Sequence, residues 1–390
     1  MISYTTPKGS LQQVLQYQVL PSEEPTNLHV QRVLQRLRTC RTSSLGYHLY
    51  RCSDEECGHV HYQYHSCRDR HCPNCGATKK QEWIEARKQE LLPVKYYHVV
   101  FTLPHELNSL IMGYRVPMFK LLFDASSQTL LDFAKDPTYL GALPGIVSVL
   151  HTWGQCLSFH PHIHCIVSGG GISGEADWKH AKKNTYRFLF PVKAMGVVYR
   201  AKFLQALKQM MECGEVRPSA DTEVEKLLNL LYQKDWVIYA KASFAGPDAV
   251  IEYLGRYTHK VAISNHRIVE VNQQKGTVSF TYKDYGDGDK QKLMTLDAKE
   301  FLRRFKQHIL PRGFTKIRTY GYLANRNRRE RINAVLAKMK LPLHKGLIQI
   351  PIDVRLRESY GINMKACGIC QKNTLELWLV YNPWKKGDDG

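Results

Sequence analysis

The sequence predicts an α+β fold, with helices and a cysteine-rich module ahead of a core whose strands suit an antiparallel sheet flanked by helices. Three observations lead there. Six of the 11 cysteines fall between Cys40 and Cys75. β-rich runs at 96–103, 163–167 and 277–282 are interleaved with helical patterns through the middle of the chain. With 43% apolar and 23% charged residues, a chain of 390 residues can bury one large core or two to three smaller ones.

In order, residues 11–38 read as helix, because Leu15, Val19, Val30, Val33, Leu34 and Leu37 recur at helical spacing, with a break between Pro21 and Pro25. After the cysteines comes a charged helix at about 78–91, then a strand at 96–103 closed by Pro104. Residues 105–134 are helical in pattern, 146–153 and 163–167 read as strands, and the second is expected to end at Gly169, Gly170 and Gly171. A helix at 199–212 and a strand at 235–243 follow; then Pro247 and Asp248 suit a helix N-terminus. A hairpin is expected at 267–271 and 277–282, then a helix at 298–308 and a basic stretch. The division suggested is 1–92, an N-terminal helical and cysteine-rich module; 93–285, a mixed α and β domain; and 286–390, a basic C-terminal region.

The charge narrows the partner. Lys and Arg number 55 against 35 Asp and Glu, a formal net charge of +20, which points to a polyanion such as nucleic acid. No apolar run approaches the roughly 20 residues that span a bilayer, so no membrane partner is expected. The first residues lack a secretory pattern, and a reducing, cytoplasmic setting makes clustered thiols metal ligands sooner than disulfides.

Two close thiol pairs stand out, Cys52-x4-Cys57 and Cys72-x2-Cys75, separated by 14 residues. Each short pair supplies two ligands from one turn, and zinc takes four in a tetrahedron, so these four are expected to hold one structural Zn2+ in a zinc ribbon. The alternative is buried, reduced cysteines. Cys40, Cys67 and His71, with His61 or His65, could hold a second zinc or simply pack beside the ribbon. Cys367 and Cys370 form a late pair with no assignment.

In His160-Pro161-His162-Ile163-His164, strand alternation sends His162 and His164 to one face. Two imidazoles on one face can chelate a divalent metal, or can sit idle on a solvated strand. Tyr253 and Tyr257 are four apart, so on a helix both hydroxyls leave one face; a stripe packed on a sheet is the plain alternative. A histidine pair, a tyrosine pair and high positive charge together make the parts of one reaction, tyrosine attack on a DNA phosphate assisted by a metal.

With these residues in place, the sequence resembles the two-tyrosine HUH rolling-circle transposases of bacterial insertion sequences. The resemblance spans nearly the whole chain: Cys40-Arg41-Thr42, the run from Ser66 to Cys75, Phe101-Thr102-Leu103-Pro104, His151-Thr152-Trp153-Gly154-Gln155, the histidine strand, and Tyr253-x3-Tyr257 through Asn265. One departure is the x4 spacing of the first thiol pair, where x2 would be expected. The resemblance implies an HUH nuclease core, an antiparallel sheet with His162 and His164 on a central strand. It implies Tyr253 and Tyr257 as nucleophiles that leave a 5′-phosphotyrosine and a 3′-hydroxyl, and catalytic Mg2+ or Mn2+ with Gln155 or Asn265 as candidate third ligand. The expected partners are single-stranded DNA and transposon-end hairpins, with Arg256, Arg326, Arg328, Arg329 and Arg331 as candidate DNA contacts. No nucleotide cofactor is expected, and the protein is placed in the bacterial cytoplasm beside the nucleoid. The rivals are an HUH replication initiator of a plasmid or phage, a non-catalytic zinc-ribbon regulator, and a metal-free tyrosine recombinase.

Overall fold

Residues 96–101 and 146–150 are apolar almost throughout, which is how a strand reads when both of its faces are covered. A computed structural model describes residues 9–17, 27–88, 90–174, 177–181, 189–241, 255, 261–344 and 350–383, and places both runs at the centre of a six-stranded sheet.

The chain opens with α1 (Leu11–Tyr17) and α2 (Leu28–Arg38), then β1 (Tyr47–Cys52), β2 (Val60–Tyr64) and α3 (Gly76–Lys88). The core follows as β3 (Tyr96–Thr102), α4 (Asn108–Gly113), α5 (Arg115–Lys135), β4 (Leu143–Trp153), β5 (Phe159–Ile172), β6 (Trp178–His180), α6 (Val192–Glu212), α7 (Val224–Gln233) and β7 (Ile238–Lys241). Then come β8 (Ile268–Asn272), β9 (Thr277–Asp284), β10 (Lys290–Asp297), α8 (Ala298–Lys306), β11 (Ile317–Gly321), α9 (Arg328–Lys338), α10 (Ile352–Tyr360) and β12 (Leu375–Tyr381).

The main sheet runs β11-β4-β5-β3-β7, with β6 also on β5, and its pairings are antiparallel. Alternation assigns its two faces. Phe101, Leu150, Ile163, Cys165 and Val167 point to one side and pack under Phe119, Leu122 and Phe123 of α5 and Tyr199 and Phe203 of α6. Tyr96, Val147, Val149 and Ile166 point to the other, where Ile84 of α3 and Ile332, Val335 and Leu336 of α9 cover them. That cover spans only one end of the second face. The other end carries histidines.

The glycines at 169–171 do not end β5, as expected from sequence; they let it continue between β4 and β6. A Cβ at Gly170 would lie 2.5 Å from the Trp178 ring, and one at Gly171 2.7 Å from the Leu143 backbone. Only residues without a side chain allow that approach.

A second sheet, β10-β9-β8, packs with α8, α1 and α2 around Leu15, Leu34, Phe280 and Phe301. A third, β12-β1-β2, pairs the far C-terminal strand with the N-terminal module. Residues 286–390 therefore do not stand apart: β10 completes the second sheet, β11 borders the main one and β12 lies on β1. Among the described residues no helix is long and apolar enough to cross a membrane.

Candidate functional site

Antiparallel register builds the first site. His162 and His164 share a face of β5, and His151 of β4 lies directly opposite His162. Residues paired across two strands point the same way, so the three rings converge, with centroids 4.6 Å apart for His151 and His164, 4.9 Å for His162 and His164, and 5.4 Å for His151 and His162. One ring nitrogen from each lies within 4.8 Å of the others.

Neighbours fix these rings. His162 Nδ1 lies 2.7 Å from the His160 carbonyl, which can only accept, so Nδ1 carries the proton and Nε2 the lone pair. His164 Nδ1 lies 2.8 Å from Nε2 of His98 on β3, and the two rings stack within 4° of parallel. Burial, aided by Lys241, lowers His98 to about 4, so it stays neutral and can accept from His164. His151 stacks on Trp153 at 4.6 Å. Ligating histidines are usually held by a hydrogen bond at the second nitrogen, as His162 and His164 are here.

The two residues expected as third ligand take other partners. Asn265 accepts from the Leu11 amide and donates to Asn74 Oδ1 at 2.7 Å, tying α1 to the cysteine module. Gln155 reaches the same cleft as the histidines but donates to the Tyr285 hydroxyl at 3.1 Å. His151 is the residue the sequence reading missed. A histidine in an otherwise apolar strand was the available signal, but only register shows which residue it faces.

The histidines open into a cleft of about 960 Å³ bordered by Trp153, Tyr239, Tyr285, Arg267 and Lys283. Tyr285 is 67% exposed, with the Lys283 ammonium 5.4 Å from its ring centre. Tyr253, Arg256 and Tyr257 lie outside the described residues.

The cysteines are grouped differently from the sequence expectation. Cys52 and Cys57 do not meet Cys72 and Cys75. One tetrad is Cys40, Cys67, Cys72 and Cys75; the other is Cys52, Cys57, Cys367 and Cys370. In the first, Sγ atoms are 3.5 Å apart for Cys40 and Cys75, 3.6 Å for Cys40 and Cys72, and 3.7 Å for Cys67 and Cys75. Thiolates around zinc at about 2.3 Å form a tetrahedron with edges of about 3.8 Å. Hydrogen bonds among these thiols pull their acidities apart: Cys40 is lowered to about 7, chiefly by Cys67, and Cys75 falls further, while Cys67 and Cys72 are pushed up. Four thiols this close cannot all ionise without a cation. His71 is no ligand of this set, because Nδ1 binds Asp69 at 2.8 Å and Nε2 accepts from the Leu310 amide at 3.1 Å.

The basic stretch is divided as well. Arg328 grips both Glu90 carboxylate oxygens at 3.0 and 3.1 Å, and Arg331 donates to the Gly321 carbonyl, so both brace the fold. Arg326 and Arg329 are exposed.

Comparison with known proteins agrees with this layout. Residues 145–331 match a family described as "Putative transposase", and residues 12–103 match one described as "Transposase zinc-binding domain". The chain is 40% identical over 362 residues, 89% of each chain, to "Putative transposase y4qJ" of Sinorhizobium fredii (strain NBRC 101917 / NGR234). It is 31% identical over 301 residues, 77% of this chain and 71% of the other, to "Transposase for insertion sequence element IS801" of Pseudomonas savastanoi pv. phaseolicola. No solved structure matches. The first cysteine tetrad and the histidine face fall inside the two matched segments, and the chain belongs to the transposase family of the IS91 and IS801 type, with an N-terminal zinc-binding domain.

Proposed function

We propose that this transposase cuts and rejoins single-stranded DNA by tyrosine attack at the histidine face. The observation that carries the reading is the convergence of His151, His162 and His164 at the mouth of an open cleft lined by aromatic side chains. The donor set fits a divalent cation: three imidazoles, one with its proton fixed on Nδ1 by a carbonyl and one hydrogen-bonded at Nδ1 to a neutral histidine. A bound Mg2+ or Mn2+ would polarise the scissile phosphate and offset the charge that grows on its oxygens.

The chain's own residues do the rest. Tyr253 or Tyr257 attacks phosphorus through its phenolic oxygen as the bond to the 3′-oxygen breaks, and the phenolic proton leaves through solvent as the 3′-hydroxyl forms. The product is a 5′-phosphotyrosine that keeps the energy of the broken ester, so a second strand's 3′-hydroxyl can reverse the step and join. Two tyrosines four positions apart in the sequence allow two such exchanges in turn. Trp153, Tyr239 and Tyr285 offer rings on which unpaired bases stack. Zinc held by Cys40, Cys67, Cys72 and Cys75 shapes the N-terminal domain.

The test is incubation of the full chain with a labelled single-stranded oligonucleotide and Mg2+ or Mn2+. A covalent adduct is expected that needs the metal and disappears when Tyr253→Phe and Tyr257→Phe are combined, while at least one single variant still cleaves. An adduct that survives the double change removes both tyrosines from the chemistry. A non-catalytic DNA-binding regulator would form no adduct at all.

A further inference from the structure

The third sheet stands outside the apolar cores, held by backbone pairing, the buried Leu49 and the ring contacts of Tyr47 with Tyr62 and Tyr381. No residue of β1, β2 or β12 belongs to any of the three hydrophobic clusters among the described residues. Every residue of β2 is exposed, and β12 is exposed from its second residue onward. Three short strands without a core are marginal in water, so something further fixes them. At their common end stand four cysteines, Cys52 closing β1, Cys57 in the turn after it, and Cys367 and Cys370 ahead of β12.

From this we infer a second structural zinc site, formed by Cys52, Cys57, Cys367 and Cys370, that clasps the C-terminal strand to the N-terminal domain. Sγ of Cys52 lies 3.7 Å from that of Cys370, and Sγ of Cys57 3.8 Å from that of Cys367. These are the edges of a thiolate tetrahedron around one ion at about 2.3 Å. They are far too long for a disulfide at about 2.05 Å, and too short for an iron–sulfur cluster, whose several irons and sulfides push the thiolates apart.

Each pair sits in a turn shaped for ligation. The Cys57 and Gly58 amides both donate to the Asp54 carbonyl, at 3.0 and 2.9 Å, with Gly58 at φ 52°. Cys367 donates its amide to the Lys372 carbonyl at 2.8 Å and accepts from the Gln371 amide at 2.9 Å, with Gln371 at φ 59°. The Thr374 hydroxyl lies 3.0 Å from the Cys52 sulfur. Cys52 and Cys367 are 3% and 0% exposed, which keeps water from the ion.

Cys57 and Cys367 are 310 positions apart, and Cys367 and Cys370 lie beyond the segment, residues 12–103, that matches the zinc-binding domain. The zinc-binding unit is thus discontinuous: its second ion exists only when both ends of the chain meet. Metal binding at such a site is folding free energy for the sheet it closes.

Two measurements on the full chain decide it. Metal analysis of the purified protein should find about two zinc ions per chain, falling to about one in Cys367→Ser with Cys370→Ser and to about one in Cys72→Ser with Cys75→Ser. One zinc in the wild-type chain, or two in the Cys367→Ser and Cys370→Ser variant, overturns the inference. The second measurement uses only wild-type protein. Alkylation read by mass spectrometry should find Cys52, Cys57, Cys367 and Cys370 protected together and reactive together after chelation. Full modification of Cys367 and Cys370 while zinc remains bound would refute the clasp even if a variant failed to fold.

Discussion

The histidine face and the cysteine tetrads are both built from side chains that take metals, yet they are finished in opposite ways. Each tetrad supplies four sulfurs, the full complement of a tetrahedral ion, and buries two of its four cysteines. The histidine face supplies three nitrogens and opens into a cleft of about 960 Å³. A closed shell leaves an ion nothing to do but hold structure, whereas an incomplete shell leaves positions for a substrate oxygen. The difference lies in what surrounds the ligands: tight turns round the thiols, strands of a rigid sheet under the imidazoles.

The largest effect expected from breaking this contrast is on chemistry. His151→Ala should lower the yield of the covalent DNA adduct by about 10²- to 10³-fold, the loss typical when transition-state charge goes unmet. Its zinc content and unfolding midpoint should stay at the wild-type values. Normal adduct formation in this variant would return the third ligand to Gln155 or to solvent.

Opening a closed shell should do the reverse. Cys72→Ser with Cys75→Ser is expected to cost several kcal/mol of stability, because binding at a structural zinc site is folding free energy, seen as a fall in thermal midpoint. The folded fraction that remains should form adduct at the wild-type rate per folded molecule. An unchanged midpoint would mean that the first tetrad does not support the fold.

A smaller effect is expected at His98, which touches no DNA in this reading but orients His164. His98→Ala should lower the affinity for the metal by about 10- to 100-fold, as for other partners of ligating histidines. Because the defect is in affinity, added metal should restore full activity; a defect that excess metal leaves untouched would assign His98 another role.

The smallest concerns a histidine of the core. His308 is nine-tenths buried, donates to the Leu157 carbonyl at 3.1 Å and lies 3.2 Å from the Thr152 hydroxyl. Burial lowers it from 6.5 to about 4. The unfolded chain therefore takes up this proton below 6.5 while the folded one resists until about 4, so the stability it contributes is intact above 6.5 and is lost as pH falls towards 4. At pH 5 the loss is about 2 kcal/mol. Denaturant midpoints should fall from pH 7 to 5, and His308→Gln should flatten that slope. An equal slope in the variant would place the acid sensitivity elsewhere.

Much of the core was legible because its signals are local. Alternation on β5 puts His162 and His164 on one face whatever the sheet does around them, and helical spacing in α1 and α2 and turn residues in the β8–β9 hairpin are equally local. The strands β10, β11 and β12 went unread because they alternate weakly and are defined by distant partners. Arg328 and Arg331 looked like DNA contacts because a run of arginines gives the same charge whether its members face phosphate, the buried Glu90 or the Gly321 carbonyl.

By itself, the sequence determined the chemistry on offer: thiols for closed metal shells, imidazoles on a strand, paired tyrosines and a surplus of positive charge. Residue type and short-range spacing settle those, since a strand has a period of two and a helix of 3.6. Only the tertiary structure decided which groups share a site. Register set His151 against His162, and the pairing of β1 with β12 brought Cys367 and Cys370 to Cys52 and Cys57. Spacing along the chain favours the nearest pair of cysteines, because a short loop closes at least entropic cost. The fold overrode that preference by meeting the cost elsewhere, in the backbone hydrogen bonds of an antiparallel sheet whose two outer strands come from opposite ends of the chain.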